Sequence, residues 1–384
     1  MHVLFLPKWY PGQKDPQLGD FLRKQALAAA AQVRLSILHV EAVSGSGAPS
    51  DEALRTEDGA WELTVRYRAS TLGLAPVRKA VNLVRYWRTA SAGWRRLCAE
   101  RGRPDLIHAY ILVRPVLFAW WTGLRHGVPY IVSEQSSEYL DGTYQRKGAL
   151  FHALSRFLFS RAAAVTAVSA WLGDRLVGLG LCHRYEIVPN VIPGLDRPLP
   201  PAGEPGRFLV VADLVDRTKN VSGVLRALAM ARKANGNAHL SVIGDGADRM
   251  MLERLTTELG LTEHVRFLGR LANAQVLDHM AQAFAVIVNS NVETFSVVTG
   301  EALAQGKPVI ATRCGGPQAF ITESNGLLID PRDDAGLAQA MLSLMRQAPR
   351  YRPAEIRHSV SERFSPQAVG MAFRSVYQAA TGHG

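Results

Sequence analysis

At 384 residues and 42.0 kDa the chain is too long for one ordinary hydrophobic core, and two domains of about 180 residues are expected. Its 47% hydrophobic and 20% charged residues can bury both cores, while Cys98, Cys182 and Cys314 are too few and too scattered for a disulfide framework or a thiolate metal site. The net charge of +11 and a pI near 9.8 ask for an anionic partner, either nucleic acid, anionic lipid or a phosphorylated substrate, and charge alone does not choose among them.

The amino terminus, MHVLFLPKWYPG, opens directly as strand and turn, with no basic n-region or cleavage site, so no signal peptide is expected. Apolar runs such as 115–124, bracketed by Arg114 and Arg125, are too short to span a bilayer. A soluble or peripheral protein in a reducing cytosol is the simplest expectation. Val3 to Leu6 reads as a strand, 7–19 as a loop with Pro11-Gly12 and Gly19, Phe21 to Gln32 as a helix and Val33 to Val40 as a strand. That order opens a doubly wound sheet, whose ligands sit at the carboxyl ends of the strands. The glycines by themselves mean no more than a turn.

Trp61 to Arg68 alternates as a strand does. In 76–103, Val77, Val81, Val84, Trp87 and Trp94 recur at helical spacing, while Arg78, Lys79, Arg85, Arg88, Arg95, Arg96, Arg101 and Arg103 leave Glu100 as the only acid. Two readings stay open, a core-facing helix with a solvated cationic face and a helix lying on an anionic membrane. Asp105 to Ile111 and Tyr130 to Ser133 are further strands, carrying His108 in the first and followed by Glu134-Gln135 after the second. A lone histidine on a strand is more often packed than catalytic. Ile192 to Gly206, with five prolines and three glycines, is a linker. Residues 1–200 hold 25 Lys and Arg against 16 Asp and Glu, so most of the excess charge lies in the first half.

The second half restarts with the strand Arg207 to Ala212, a loop bearing Arg217 and Lys219, and the helix Val221 to Lys233. His239 to Ile243 leads into Gly244-Asp-Gly246, and Val265 to Gly269 into Arg270; a Gly-x-Gly alone is weak and commonly just a turn. Phe284 to Val288 reads as a buried strand, Thr294 to Ser296 as hydroxyls suited to a helix start, and Val297 to Gln305 as a helix stopped by Gly306 and Pro308. Glu293 then sits on the loop and Glu301 within the helix. The free N–H groups near Ser296 and Val297 suit a phosphate, and a carboxylate can accept from both hydroxyls of a vicinal diol. Two carboxylates around an amide-lined turn thus suit a ligand with sugar, diphosphate and sugar in a row. For an isolated pair of glutamates, a favourable interaction with the helix dipole explains as much. The sequence contains neither an Asp-x-Asp triplet nor a His/Cys cluster at metal-ligand spacing.

The run Glu293-Thr-Phe-Ser-Val-Val-Thr-Gly-Glu301-Ala-Leu-Ala-Gln-Gly306-Lys-Pro308, followed by Cys314-Gly-Gly-Pro317 and Asn325-Gly-Leu-Leu-Ile-Asp330-Pro331, resembles the E-x7-E region of retaining glycosyltransferases of family 4. The resemblance implies an α/β GT-B fold, two Rossmann-like doubly wound domains facing a central cleft. It places an acceptor domain at 1–195, a linker at 196–206, a nucleotide-sugar domain at 207–362 and a returning helix at 363–384. It implies transfer from a UDP- or GDP-linked sugar, with no cofactor and no metal. Lys219, with Arg217 standing in for an arginine whose usual place is taken by Asp213, neutralises the diphosphate. Glu301 holds the ribose and Glu293 the transferred sugar; Phe295, Ser296 and Val297 supply the turn. Gly244, Gly246 and Arg270 border the nucleotide, and Gly19 lies beside the acceptor. Gln135 stands where the family often has a histidine, leaving His108 as the nearest substitute, and Gln318 stands where it often has a glutamate. A lipid-linked or polysaccharide acceptor at the cytoplasmic face of a bacterial inner membrane is the implied partner, with 76–103 toward the membrane. A nucleotide-sugar epimerase and a non-catalytic anion-binding protein are the alternatives; no basic-aromatic nucleic-acid motif appears.

Overall fold

All six residues of β1 (His2–Pro7) are buried, as happens when helices cover both faces of a parallel sheet. It seeds the first of two units in a computed structural model that describes residues 1–12, 15, 17–45, 51–55, 59–235 and 237–382. In chain order this unit holds α1 (Asp20–Ala30), β2 (Arg34–Val43), β3 (Glu52–Arg55), β4 (Trp61–Arg68), α2 (Ala75–Arg101), β5 (Leu106–Tyr110), α3 (Arg114–His126), β6 (Tyr130–Glu134), α4 (Ala149–Ser160), β7 (Ala164–Ala167), α5 (Ala170–Gly178) and β8 (Glu186–Ile187). The sheet order is β3-β4-β2-β1-β5-β6-β7-β8, with β3 antiparallel on the edge and the other seven strands parallel. The order reverses between β1 and β5, which makes that pair the switch point where doubly wound sheets bind ligands.

The second unit holds β9 (Arg207–Val211), α6 (Asp216–Lys219), α7 (Val221–Asn235), β10 (His239–Ile243), α8 (Arg249–Glu258), β11 (Val265–Gly269), α9 (Asn273–Gln282), β12 (Ala285–Val288), α10 (Val297–Ala304), β13 (Val309–Thr312), β14 (Gly326–Ile329), α11 (Asp334–Arg346) and α12 (Pro353–Phe364). Its six parallel strands run β11-β10-β9-β12-β13-β14, so here the switch point lies between β9 and β12. The last helix, α13 (Pro366–Thr381), belongs to the first unit, which comprises Met1–Val191 and Pro366–Gly384 and leaves Ile192–Ser365 to the second. The divide thus falls just before the proline-rich linker, because the Ile192 side chain lies against Gly300 and its N–H donates to Phe364 O, both in the second unit. In the first unit α13 packs along α1, and Val369, Phe373 and Tyr377 join Val3, Phe5 and Leu22 in one core.

The helical stripe in 76–103 serves two purposes. From Tyr86 onward α2 buries Tyr86, Ala90, Trp94 and Leu97, whereas Val77 and Val84 before it stand 45% and 58% exposed. A core-facing role therefore holds for only half of the helix. Among the described residues no helix is long and apolar enough to cross a membrane.

Candidate functional site

Because β9 and β12 are neighbours in the second sheet, the loops leaving their carboxyl ends meet. The loop after β9 forms the single turn α6, whose end is fixed by Asn220 in left-handed backbone (φ 47°). Asn291 ties the loop after β12 to it: its N–H donates to Thr218 O and its side-chain amide to Arg217 O, each at 2.8 Å. These bonds bring Lys219 Nζ to Glu293 Oε1 at 2.6 Å, and the same oxygen accepts from Ser290 Oγ at 2.7 Å. Burial pulls against the Lys219 charge, but the Glu293 carboxylate outweighs it and holds the ammonium above its ordinary value. Glu293 is further fixed through its backbone, whose N–H donates to Cys314 O and whose carbonyl accepts from Gly316 N.

α10 is buried from Thr299 to Ala304, so neighbours on all sides set its direction. Its first turn leaves the Val297 and Val298 N–H groups without intrahelical acceptors. The cap differs from the expected hydroxyl cap. Ser296 sits in left-handed backbone (φ 73°) and bonds Thr299 Oγ1 instead of a backbone N–H, so the turn amides stay uncapped. Gly316 admits this turn, since a Cβ there would collide with the backbone of Phe295. Glu301 is buried, and Asn273 Nδ2 donates to its Oε1 at 2.8 Å. A cation, an acid, uncapped amides and a second acid thus surround the switch point of this unit.

Other expected residues have different surroundings. The Phe295 side chain is core, with its ring against Phe320 and Phe364, so it contributes to the turn through its backbone alone. Gly244 (φ 135°) and Gly246 are where the loop after β10 touches the loop after β9: a Cβ on either would strike the backbone at Ala212 or Leu214. Their visible role is this close approach. Arg217 and Arg270 are exposed, and Gln318 Oε1 accepts from Gly315 N at 3.0 Å. Among the described residues no group of three potential metal ligands forms.

In the first unit Gly19 begins α1 with φ 69°, pressed against the Trp9 backbone where no Cβ would fit. His108 is a correction. It is fully buried, with Nδ1 paired to Tyr377 Oη at 2.8 Å and Nε2 to Ser133 Oγ at 2.6 Å, and burial holds its imidazole well below the usual range. With both nitrogens engaged in the core it has no face for a substrate. Gln135 is also internal, donating to Gln25 Oε1.

Sequence reasoning missed the group at the switch point of this sheet. Lys8 Nζ donates to Leu112 O at 3.0 Å, joining the loops after β1 and β5. Buried Glu134 accepts from Leu112 N–H and Tyr139 Oη, both at 2.9 Å, while its Oε2 has no partner and burial raises its carboxyl pKa. The signal was positional: Glu134 ends a strand beside that switch point. A groove of about 930 Å³, lined in part by Phe159, Ala163, Tyr185 and Val376, lies instead beside the amino ends of β7 and β8. Doubly wound sheets bind ligands at the opposite end, so the groove belongs to neither switch point.

In comparisons with known proteins, residues 195–363 match the family described as glycosyl transferases group 1, and residues 22–191 the glycosyl transferase 4-like domain. The lipopolysaccharide core biosynthesis glycosyltransferase LpsD of Rhizobium meliloti is 31% identical over 230 residues, which span 57% of this chain and 64% of that protein. The glycogen synthase of Mycobacterium tuberculosis is 27% identical over 295 residues, 72% of this chain and 69% of its own. Among solved structures, sucrose-phosphate synthase from Thermosynechococcus elongatus superposes with a TM-score of 0.78 at 19% identity, covering all of both chains. Anabaena HepE in complex with UDP gives 0.71 at 17% identity, covering 99% of this chain and 100% of its own. The fold shared with these structures is GT-B.

Proposed function

This chain belongs to the group 1 glycosyltransferases, and from that premise we propose that it moves a sugar from a UDP- or GDP-linked donor to an acceptor hydroxyl, with retention and without a metal. The observation that carries the reading is the Lys219–Glu293 pair beside the uncapped start of α10. In this reading the donor diphosphate takes the place of Glu293 as partner of Lys219, and the Val297 and Val298 amides complete its neutralisation. Glu293, freed from the ammonium, accepts from hydroxyls of the transferred sugar, and Glu301 from the ribose. The acceptor oxygen bonds to the anomeric carbon as the bond to the diphosphate oxygen breaks. The acceptor proton passes to that departing oxygen on the same face. Glu293 orients rather than attacks, since Ser290 Oγ still donates to the oxygen that the ammonium has left.

For the acceptor we propose a lipid-linked or growing polysaccharide, bound through the first unit at the cytoplasmic side of a membrane. Support comes from LpsD, a lipopolysaccharide core enzyme by name, and from the exposed cationic first half of α2. Calorimetric titration with UDP, GDP and their sugar conjugates, with and without a chelator, tests the donor. Binding of one nucleotide that survives chelation and is lost in Glu301→Ala supports the reading. Absence of binding across the panel, or anomeric inversion in the product, overturns it.

A further inference from the structure

Three helices of the first unit, α2, α3 and α4, together carry ten Lys and Arg residues against the single acid Glu100. Lys79, Arg88, Arg95, Arg125 and Arg156 are exposed, and among the described residues none of them meets a carboxylate. Between these cations the surface is apolar. Val84 is 58% exposed, Trp121 44%, Leu124 70%, Leu150 85% and Phe157 38%. The aromatic rings form one strip: Trp87 meets Trp121 at 6.2 Å between ring centres, Trp121 meets Trp120 at 6.3 Å, and Trp120 meets Phe157 at 5.2 Å. Arg161 caps the far end, its guanidinium 5.6 Å from the Phe157 ring centre.

Scattered exposed hydrophobes are ordinary, but a continuous aromatic strip rimmed by unpaired cations is not. A small soluble anion would satisfy the cations and leave Leu124 and Leu150 in water. Indole rings flanked by arginines match the boundary of a bilayer, where an apolar body meets acyl chains and a polar edge meets headgroups. We propose that the α2–α3–α4 face, centred on Trp121 and Leu124, docks on the surface of an anionic phospholipid bilayer. Trp120, Trp121 and Phe157 enter the headgroup boundary, and Arg88, Arg125 and Arg156 meet lipid phosphates. The face extends the membrane reading given above for α2 to two further helices. It is tested without donor or acceptor, so its failure leaves the transferase reading standing, and loss of donor binding leaves this one standing.

The test uses the full chain with vesicles of phosphatidylcholine alone and of phosphatidylcholine mixed with phosphatidylglycerol, each also prepared with acyl-chain-brominated lipid. Binding confined to the anionic vesicles, weakened by salt, with tryptophan emission quenched by bromine, is the expected result. Trp121→Ser with Leu124→Ser should lower partitioning by about tenfold or more and relieve quenching, while thermal unfolding stays within a few degrees of the parent. Arg125→Gln should cost about fivefold at low salt. A second pair, Trp120→Tyr with Leu150→Ser, guards against misfolding of the first and should give the same direction. The proposal is overturned if anionic vesicles fail to bind, if quenching survives in a folded variant, or if light scattering shows the face buried in a dimer that Trp121→Ser with Leu124→Ser dissociates.

Discussion

Lys219 and Glu293 lie 74 residues apart in sequence, yet they meet at 2.6 Å because β9 and β12 are adjacent in the sheet and α6 is sewn to the loop after β12 by Asn291. The pair is a charge balance awaiting a third party. Glu293→Gln keeps the shape and removes the charge, and Lys219→Met keeps the stem and removes the ammonium. Each is expected to lower turnover by roughly 10²-fold or more, the usual scale for losing one charge-stabilising group. Turnover assays alongside thermal unfolding check this; near-normal rates in both would sink the assigned roles. Because the Lys219 pKa is raised, the pair contributes fully below the ordinary lysine value and is lost only as pH climbs through the higher folded value. Neutral-range activity should therefore show no limb from Lys219.

Gly244 decides whether the loops after β9 and β10 can touch. Its φ of 135° and the Ala212 carbonyl leave no place for a methyl group. Gly244→Ala is expected to destabilise the second unit by about 2 kcal/mol or more, through clash and forbidden backbone together. Denaturant unfolding would read the loss, whereas Gly260→Ala, in open space at a positive φ of 68°, should cost less.

For His108 the prediction concerns folding rather than chemistry. His108→Phe leaves Tyr377 Oη and Ser133 Oγ short of a partner in the core and should cost on the order of 1–3 kcal/mol. Turnover per folded molecule should stay within a few-fold of the parent. A loss of turnover with unchanged stability would restore His108 as a catalyst.

Acid should loosen the first unit through two buried histidines. His2 and His39 are pushed down to about 4, chiefly by burial, with Arg34 adding to the effect on His2 and Arg66 to that on His39. Their unfolded forms take up protons from about 6.5 downward while the folded forms do not, so the unfolded state binds more protons and stability falls with pH. Each histidine is expected to remove about 1–2 kcal/mol between pH 7 and pH 5. Urea unfolding at those pH values measures it, and His39→Asn should flatten the dependence.

The parts of the site that could be read from sequence are those written in consecutive residues. Strand, polar loop and helix across Ala285–Ala304 place Glu293 and Glu301, and the same pattern after β9 places Lys219. Contacts between distant segments leave no local trace. Asn273 on Glu301, Leu112 N–H on Glu134 and Asn291 on α6 are decided by sheet order. Periodicity likewise shows that α2 has an apolar stripe without showing where the core ends, which is why Val77 and Trp94 look alike in sequence and differ in burial. For His108 the strand position was legible, but the ring's engagement depends on Tyr377, 269 residues away. The glycines at 244 and 246 look like a ligand loop because backbone packing against backbone and backbone packing against phosphate ask for the same missing Cβ.

The core of the first unit contains Val369, Phe373 and Tyr377 from α13 together with β1 and α1. The residues of β1 and α1 therefore wait for a helix made after the whole second unit before their packing is complete. In between, the whole of Ile192–Ser365 emerges and can close its own sheet. Translation consequently delivers the later unit as a finished insert into an earlier unit that is still open. A stop codon after Ser365 would spare every strand of the molecule and yet unroof α1, placing the cost of a carboxyl-terminal truncation at the amino-terminal end.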